Sequence, residues 1–481
     1  MNYRRKDKRS SPGLLDELDD SDKKSNYYLS DDFDTGSKYK RYIKGVLHRV
    51  DHRIILVFFL IWVITIHYFE RIYARNVVAS CNWSNWEDWP ENASPHRIAL
   101  VADPQIVDAY SYPGRPAIID FLVQKVTDNY LRRNHKFMHS ELDPDTTIFL
   151  GDLFDGGREW DDNNVWFKEY KRYNTVFPKK VNRRTISSIP GNHDIGYELV
   201  KPEIKDRFAE FFGELNEYIE LGNHSFVLLD VISLSHPDKA IHTEARNFLS
   251  TINDKLNSQF PRILLQHVPM YRFPDTQTCG PLREKGGKFP IQKGKQYQTV
   301  LEHAITHEIL GIIGPEIIFA GDDHDYCEIQ QPYKFQGKDK VAKEIAVKSA
   351  AMSSGIKYPA IQLLSLHNPY NLLDDLKGTT PKETFKTEMC YMPNPLHPFR
   401  AYGVVLLASI ASLVLKYIYP AQYNSILAYI LAKTTFDDAR FEKNHWAPSK
   451  NRLIDVRGFL LNVFLSFVIP FIVLGIYFGS V

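Results

Sequence analysis

SSIPGNHD, residues 187–194, is the stretch on which the fold turns. A short run leads into a Pro-Gly turn, and that turn presents an amide, an imidazole and a carboxylate in succession: Asn192, His193 and Asp194. An apolar run of strand length that ends in a polar turn is the pattern of a buried strand leaving a sheet. Four further pieces repeat it: IALVADPQ (98–105), FLGDLFD (149–155), ILLQH (263–267) and IIFAGDDH (317–324). In an open α/β sheet the carboxyl ends of neighbouring strands converge on one crevice, so ligands far apart in sequence meet there. Five such ends, each carrying Asp, Asn, Gln or His, describe a dinuclear metal site.

Outward from these ends, strand and helix alternate. Strands are predicted at 98–102, 147–150, 184–189, 226–233, 263–265, 317–319 and 360–366, with helices at 116–133, 160–177, 201–212 and near 298–310. This βαβ rhythm with later β-rich material predicts a layered α/β or α+β sandwich. At 481 residues the chain exceeds one compact core, so one catalytic domain with appended segments is expected. The formal net charge of +1 gives no basic excess of the kind that attracts nucleic acid, and none is expected as a partner.

Three apolar runs, 54–69, 401–419 and 459–478, break the soluble pattern. A bilayer core takes about 20 such residues and tolerates about 17, so the first is slightly short and the others adequate. Lys38, Lys40, Arg41, Lys44, Arg49 and Arg53 precede the first run and place the N-terminal side in the cytoplasm. The expected organisation is a disordered cytoplasmic tail (1–50), a first span (51–72), a luminal domain (73–398), a second span (401–419), a cytoplasmic loop (420–456) and a third span (457–479). All four cysteines, Cys81, Cys279, Cys327 and Cys390, fall in the luminal interval, as do sequons at Asn82, Asn92 and Asn223. Pairing of the cysteines is expected, with the partners open. Trp83, Trp86 and Trp89 fit either an aromatic belt at the membrane or packing on the domain.

Within the site, Asp103 and Gln105 stand two apart, as do Asp322 and His324. Asp152 lies at a Gly-flanked turn, and its two oxygens suit a bridge between ions. Asn192 offers an amide oxygen and His267 an imidazole. The ordered series resembles the calcineurin-like metallophosphoesterase superfamily, whose blocks read D-x-H, GD-x-x-D, GNH[DE], a lone H, and GHxH. The resemblance covers about residues 97–366 and implies two β-sheets flanked by helices, a two-metal centre and phosphoester hydrolysis. Carried over, Asp103, Gln105, Asp152 and His324 hold one ion, and Asp152, Asn192, His267 and Asp322 the other. Gln105 and Asp322 depart from the family's histidines, and both are oxygen donors. A site with only two nitrogen ligands favours Mn²⁺ over Zn²⁺.

Two such ions clamp the attacking and leaving oxygens in an in-line displacement at phosphorus. By the same resemblance His193 is not a ligand but a proton donor to the leaving group. Asp194 is expected to orient it. Tyr112, Arg115, Arg158 and Arg283 are candidate phosphate or glycan contacts. With ADPQ, GDLFDGGREW, IPGNHDIG, QHVPMYR and GDDHDYC, the chain is similar to the ethanolamine-phosphate phosphodiesterases that remodel GPI anchors, in their fungal cell-division-control branch. That likeness implies removal of ethanolamine phosphate from a GPI mannose, with GPI-anchored proteins or GPI glycolipid as substrate, in the endoplasmic reticulum or early Golgi membrane. The competing readings are a phosphatase or nuclease with a cytoplasmic site, and a catalytically weak membrane adaptor.

Overall fold

The computed structural model of the chain describes residues 39–40, 42–369, 383–434 and 455–480. The tail expected over 1–50 lies outside them as far as residue 38, and the expected loop over 420–456 does so from 435 to 454. The chain divides into two compact units, Ile64–Tyr402 with Leu474–Val481, and Met1–Val63 with Gly403–Val473.

The first unit is built on two mixed sheets. In chain order its strands are β1 (His96–Val101), β2 (Thr146–Phe149), β3 (Arg184–Ile186), β4 (Glu217–Leu221), β5 (His224–Leu228), β6 (Arg262–Leu265) and β7 (Lys293–Gly294). They continue as β8 (Tyr297–Gln298), β9 (Ile317–Ala320), β10 (Cys327–Phe335), β11 (Lys338–Ala346), β12 (Ala360–Leu366) and β13 (Phe385–Tyr391). One sheet has the order β13-β12-β1-β2-β3 and the other β10-β11-β9-β6-β5-β4, while β7 and β8 form a separate ribbon. The centres are parallel: β1 on β2 on β3, and β5 on β6 on β9. Their carboxyl ends therefore open on one side, which is what a shared site requires.

These strands read as unbroken apolar runs because both of their faces are covered. Successive side chains point to opposite faces, and the core divides accordingly. Ile98, Leu100, Ile148, Leu265 and Phe319 fill one cluster, and Ala99, Val101, Phe149, Leu264 and Ile318 another with Trp166 and Phe208 from helices. Two of the predicted elements are cut short by a local partner. The strand expected over 226–233 stops at Leu228, because the Asp230 carboxylate accepts from Ser233 N (2.9 Å) and caps a short helix, Val231–Ser235. The helix expected from 298 starts at His303, because Gln298 is taken into the β7–β8 ribbon.

Both disulfides lie in this unit, Cys81–Cys390 and Cys279–Cys327. The tryptophans pack on the domain: Trp83 is buried with Nε1 donating to Leu142 O (2.6 Å), and Trp89 Nε1 donates to Ser365 Oγ (2.8 Å). Among the described residues, three helices are long and apolar enough to cross a membrane, His52–Ala79, Leu396–Ile418 and Val456–Gly479, of 28, 23 and 24 residues. The first carries a π-helical turn at Tyr68–Tyr73. In the second unit Asn462 is buried among apolar helices and takes its amide partners from Arg49 O (3.0 Å), Tyr417 Oη (3.0 Å) and Asp51 N (3.0 Å). Such an amide joins helices where apolar packing alone does not discriminate between partners. A further helix, Pro420–Thr434, comes after the second apolar one.

Candidate metal centre

The turns after β1, β2, β6 and β9, with the GNHD helix Asn192–Ile195, bring the predicted ligands together. Asp103, Asp152 and His267 present donor atoms within 4.8 Å of one another. His267 Nε2 lies 3.3 Å from Asp152 Oδ1, 3.3 Å from Asn192 Oδ1 and 3.7 Å from Asp322 Oδ1. Asp322 N donates to Asp103 Oδ1 (3.0 Å), and Gln105 Nε2 donates to Asp152 Oδ2 (2.9 Å), leaving the glutamine Oε1 as its donor atom.

The backbone is bent to achieve this. Asp103, Gln105, Asp152, Asp322 and His324 all have positive φ, between 35° and 69°, in the left-handed region that non-glycine residues rarely occupy. Strain of this kind persists where the surroundings over-determine it, and it gathers at functional sites. Close approach is the second device. A Cβ on Gly191 would sit 2.0 Å from Asp152 Oδ1, and one on Gly151 2.6 Å from His267 Nδ1. The glycines of GD and GNHD are therefore dictated by space.

Each imidazole has its tautomer set from behind. His267 Nδ1 meets Leu150 O at 2.8 Å and His324 Nδ1 meets Ser354 O at 3.3 Å; a carbonyl only accepts, so each Nδ1 carries the proton and each Nε2 keeps its lone pair. Asn192 Nδ2 donates to Gln296 O (2.9 Å), which turns its Oδ1 toward His267.

The electrostatics are those of a cation socket. Burial, and then the charges of Asp152 and Asp322, push the Asp103 carboxyl well above its ordinary range, and Asp322 is raised likewise by burial and by Asp152. At Asp152 burial opposes ionisation, but His267, His193 and the His193 N–H (2.8 Å) prevail and hold it low. Burial lowers His267 and takes His324 down to about 4, so both are neutral ligands at physiological pH. Asp103 Oδ2 is buried with no hydrogen-bond partner. Uncompensated buried carboxylates are costly unless they coordinate a cation, so the donor set fits divalent metal ions.

The residues expected around the metals divide. His193 is partly buried at the site, but its Nδ1 faces Asp155, 2.6 Å from the backbone O and 3.3 Å from Oδ1. Asp194 does not orient it: that carboxyl is fully buried and accepts from Leu153 N (3.2 Å), Phe154 N (3.0 Å) and Gly191 N (2.8 Å), tying the Asp152 turn to the GNHD turn. Burial, and then Asp152, raise it to about 8. Arg158 reaches the site, donating to Asn192 O (3.0 Å). Arg283 is not free to bind substrate, because it is buried and clasps Asp323 with both terminal nitrogens, bracing the turn between Asp322 and His324. Tyr112 and Arg115 stack on each other (3.6 Å) in the loop after Gln105. Asp155 stands within FLGDLFD and is legible there; Gln296 carries no signal.

Residues 96–326 match the calcineurin-like phosphoesterase family. Cell division control protein 1 of Saccharomyces cerevisiae is 46% identical over 441 residues, covering 87% of this chain and 89% of the yeast protein. Metallophosphoesterase 1 of Ailuropoda melanoleuca is 29% identical over 214 residues, covering 39% of this chain and 52% of that protein. Among solved structures, a phosphopantetheinyl hydrolase of Mycobacterium tuberculosis overlaps 53% of this chain and 90% of its own, at 10% identity and a TM-score of 0.30. With the ordered ligands, the two sheets and a yeast relative matched over nearly its whole length, the chain belongs to the calcineurin-like phosphoesterases, metal-dependent hydrolases of phosphoester bonds.

Proposed function

We propose that this hydrolase removes an ethanolamine-phosphate side branch from a mannose of the GPI-anchor glycan, on GPI-anchored proteins or GPI glycolipid, in the lumen of the endoplasmic reticulum or early Golgi. The observation that carries the luminal reading is the closure of both disulfides, Cys81–Cys390 and Cys279–Cys327, within the unit that holds the metal centre. Disulfides persist in oxidising compartments, where glycan phosphodiesters are at hand and nucleic acid is not. The three apolar helices, read as spans over the expected segments, support a substrate that is itself held at a membrane.

In this reading Asp103, Gln105, Asp152 and His324 hold one divalent ion, and Asp152, Asn192, His267 and Asp322 the other. Bound metal supplies Lewis acidity and a nucleophile at neutral pH. The chain supplies the rest. Oxygen donors outnumber the two imidazoles, which supports Mn²⁺. Arg158, beside Asn192, faces phosphate charge. His193 delivers the proton to the departing alkoxide, and Asp155 fixes its ring. The test is purified full-length protein with Mn²⁺ acting on a GPI glycan that bears ethanolamine phosphate. Release by the wild type, abolished in Asp152→Ala and His193→Ala, is expected; equal release by all three overturns the mechanism.

A further inference from the structure

The helix Ala117–Phe137 has one face with two fates. Ile118, Phe121, Leu122, Lys125, Asn129 and Arg133 recur at steps of three and four, so they lie on a single side. In the C-terminal half that side is buried against two apolar helices. Asn129 Nδ2 donates to Glu70 Oε2 (2.9 Å), Arg133 Nη1 reaches the same oxygen (2.6 Å), and the adjacent Arg132 donates to the carbonyl of Phe478. Glu70 belongs to His52–Ala79 and Phe478 to the last turn of Val456–Gly479, two helices of membrane-spanning length. In the N-terminal half the same side is open: Ile118 is 65% exposed, Phe121 52% and Leu122 41%, with Ile119 beside them at 45%.

Apolar side chains scattered singly on a surface need no explanation, but a contiguous row does. We infer that the first turns of this helix, from Ile118 to Leu122, lie in the headgroup region of the lipid bilayer as an in-plane anchor. The occupant is given by continuity, and this rests on reading the apolar helices as spans: the face that runs on into these residues is already seated on Glu70, which directly follows the apolar run 54–69, and on the last turn of Val456–Gly479. A helix lying in that plane with its apolar side toward the acyl boundary is the standard interfacial arrangement. Lys125, whose Nζ sits 5.5 Å from the Phe121 ring, is then the snorkelling cation at its edge.

The anchor is rigidly joined to the metal centre. Between Gln105 and the helix, Ile106 N donates to Leu153 O (3.1 Å), and Asp108 Oδ1 accepts from Tyr110 N (2.8 Å) and Ser111 N (3.1 Å). Pro113 and Pro116 stiffen the last residues before the helix. Immersion of Ile118 thus fixes the strap at 106–116 between lipid surface and ligand turn, whichever phosphoester is cleaved.

All four cysteines are in disulfides, so a single introduced cysteine can be labelled. Full-length Ile118→Cys and Leu122→Cys, each carrying an NBD fluorophore, are reconstituted into phosphatidylcholine vesicles with nitroxide at a shallow acyl position. Val341→Cys, 58% exposed on β11 of the other sheet, is the comparison. Blue-shifted emission at either helix position, with at least about twofold stronger nitroxide quenching than at Val341, is expected. Two results overturn the inference. One is quenching equal to that at Val341; the other is shielding from both lipid nitroxide and aqueous iodide, which would mean that protein, such as a second copy of the chain, covers this face.

Discussion

The same unit buries charge in two places and treats it in opposite ways. Beneath the helix Ala117–Phe137, Glu70 is met by Arg133 at 2.6 Å and by Asn129 at 2.9 Å, so each charge finds its complement within the chain. At the strand ends, Asp103, Asp152 and Asp322 face neutral imidazoles and one another, and Asp103 Oδ2 has no partner. The first set is closed on itself and holds elements together. The second is complete only with cations from outside. Burial alone does not distinguish structure from function; the balance of charge inside the burial does.

That contrast can be broken or sharpened by substitution. Asp152→Ala, which removes the carboxylate that meets Gln105, His267 and the His193 N–H, is expected to lower phosphodiester hydrolysis on the order of 10³-fold or more, read as kcat/KM. Glu70→Gln strands the Arg133 charge and is expected to destabilise the unit by about 3–5 kcal/mol in denaturant titration, with metal stoichiometry unchanged. Asp155→Asn, which weakens the carboxylate beside His193, is expected to lower kcat roughly tenfold to a hundredfold while leaving metal content intact. Asp103→Asn reverses the sign seen at Glu70. By removing one of several repelling carboxylates it is expected to stabilise the metal-free protein by about 1 kcal/mol and to cut metal bound per chain, measured by melting and elemental analysis.

The smallest effect concerns pH. Burial lowers His135 to about 3 and His139 to about 4, from an ordinary value of 6.5. On acidification the unfolded chain takes these protons first, so their contribution is whole above pH 6.5 and is lost as pH falls toward about 4 and 3. Melting temperature is expected to fall by a few degrees between neutrality and about pH 4.5. His139→Leu is expected to flatten that slope, since neither ring nitrogen of His139 has a hydrogen-bond partner.

Legibility in the sequence depends on where the information sits. IALVADPQ and IIFAGDDH announce strand, turn and ligand within eight residues each, because burial on both faces enforces an apolar run and the turn must be polar. The long hairpin of β10 and β11 is harder to see. Its exposed positions include Lys334, Lys338, Asp339 and Lys340, and its buried face is spread over alternate residues such as Ile329, Gln331 and Tyr333. Arg283 reads as a candidate phosphate contact because its partner, Asp323, lies 40 positions away. The place beside His193 expected of Asp194 is taken by Asp155 for a similar reason. Adjacency in GNHD ties Asp194 to His193 along the chain, whereas the four-residue helix turns its carboxylate back onto the amides of 153 and 154. Positive φ at five candidate ligands has no signature in residues of those types.

The Cys81–Cys390 bridge spans 309 positions and joins the residue two after the first apolar helix to one six before the second. It makes the whole metal-centre domain a covalent ring hung from a single sulfur–sulfur knot. A protease that nicks any loop inside that ring leaves the two apolar helices on one molecule until a reductant is added. Tension between those helices passes through the knot and bypasses the strand ends, so the ligand turns are spared it.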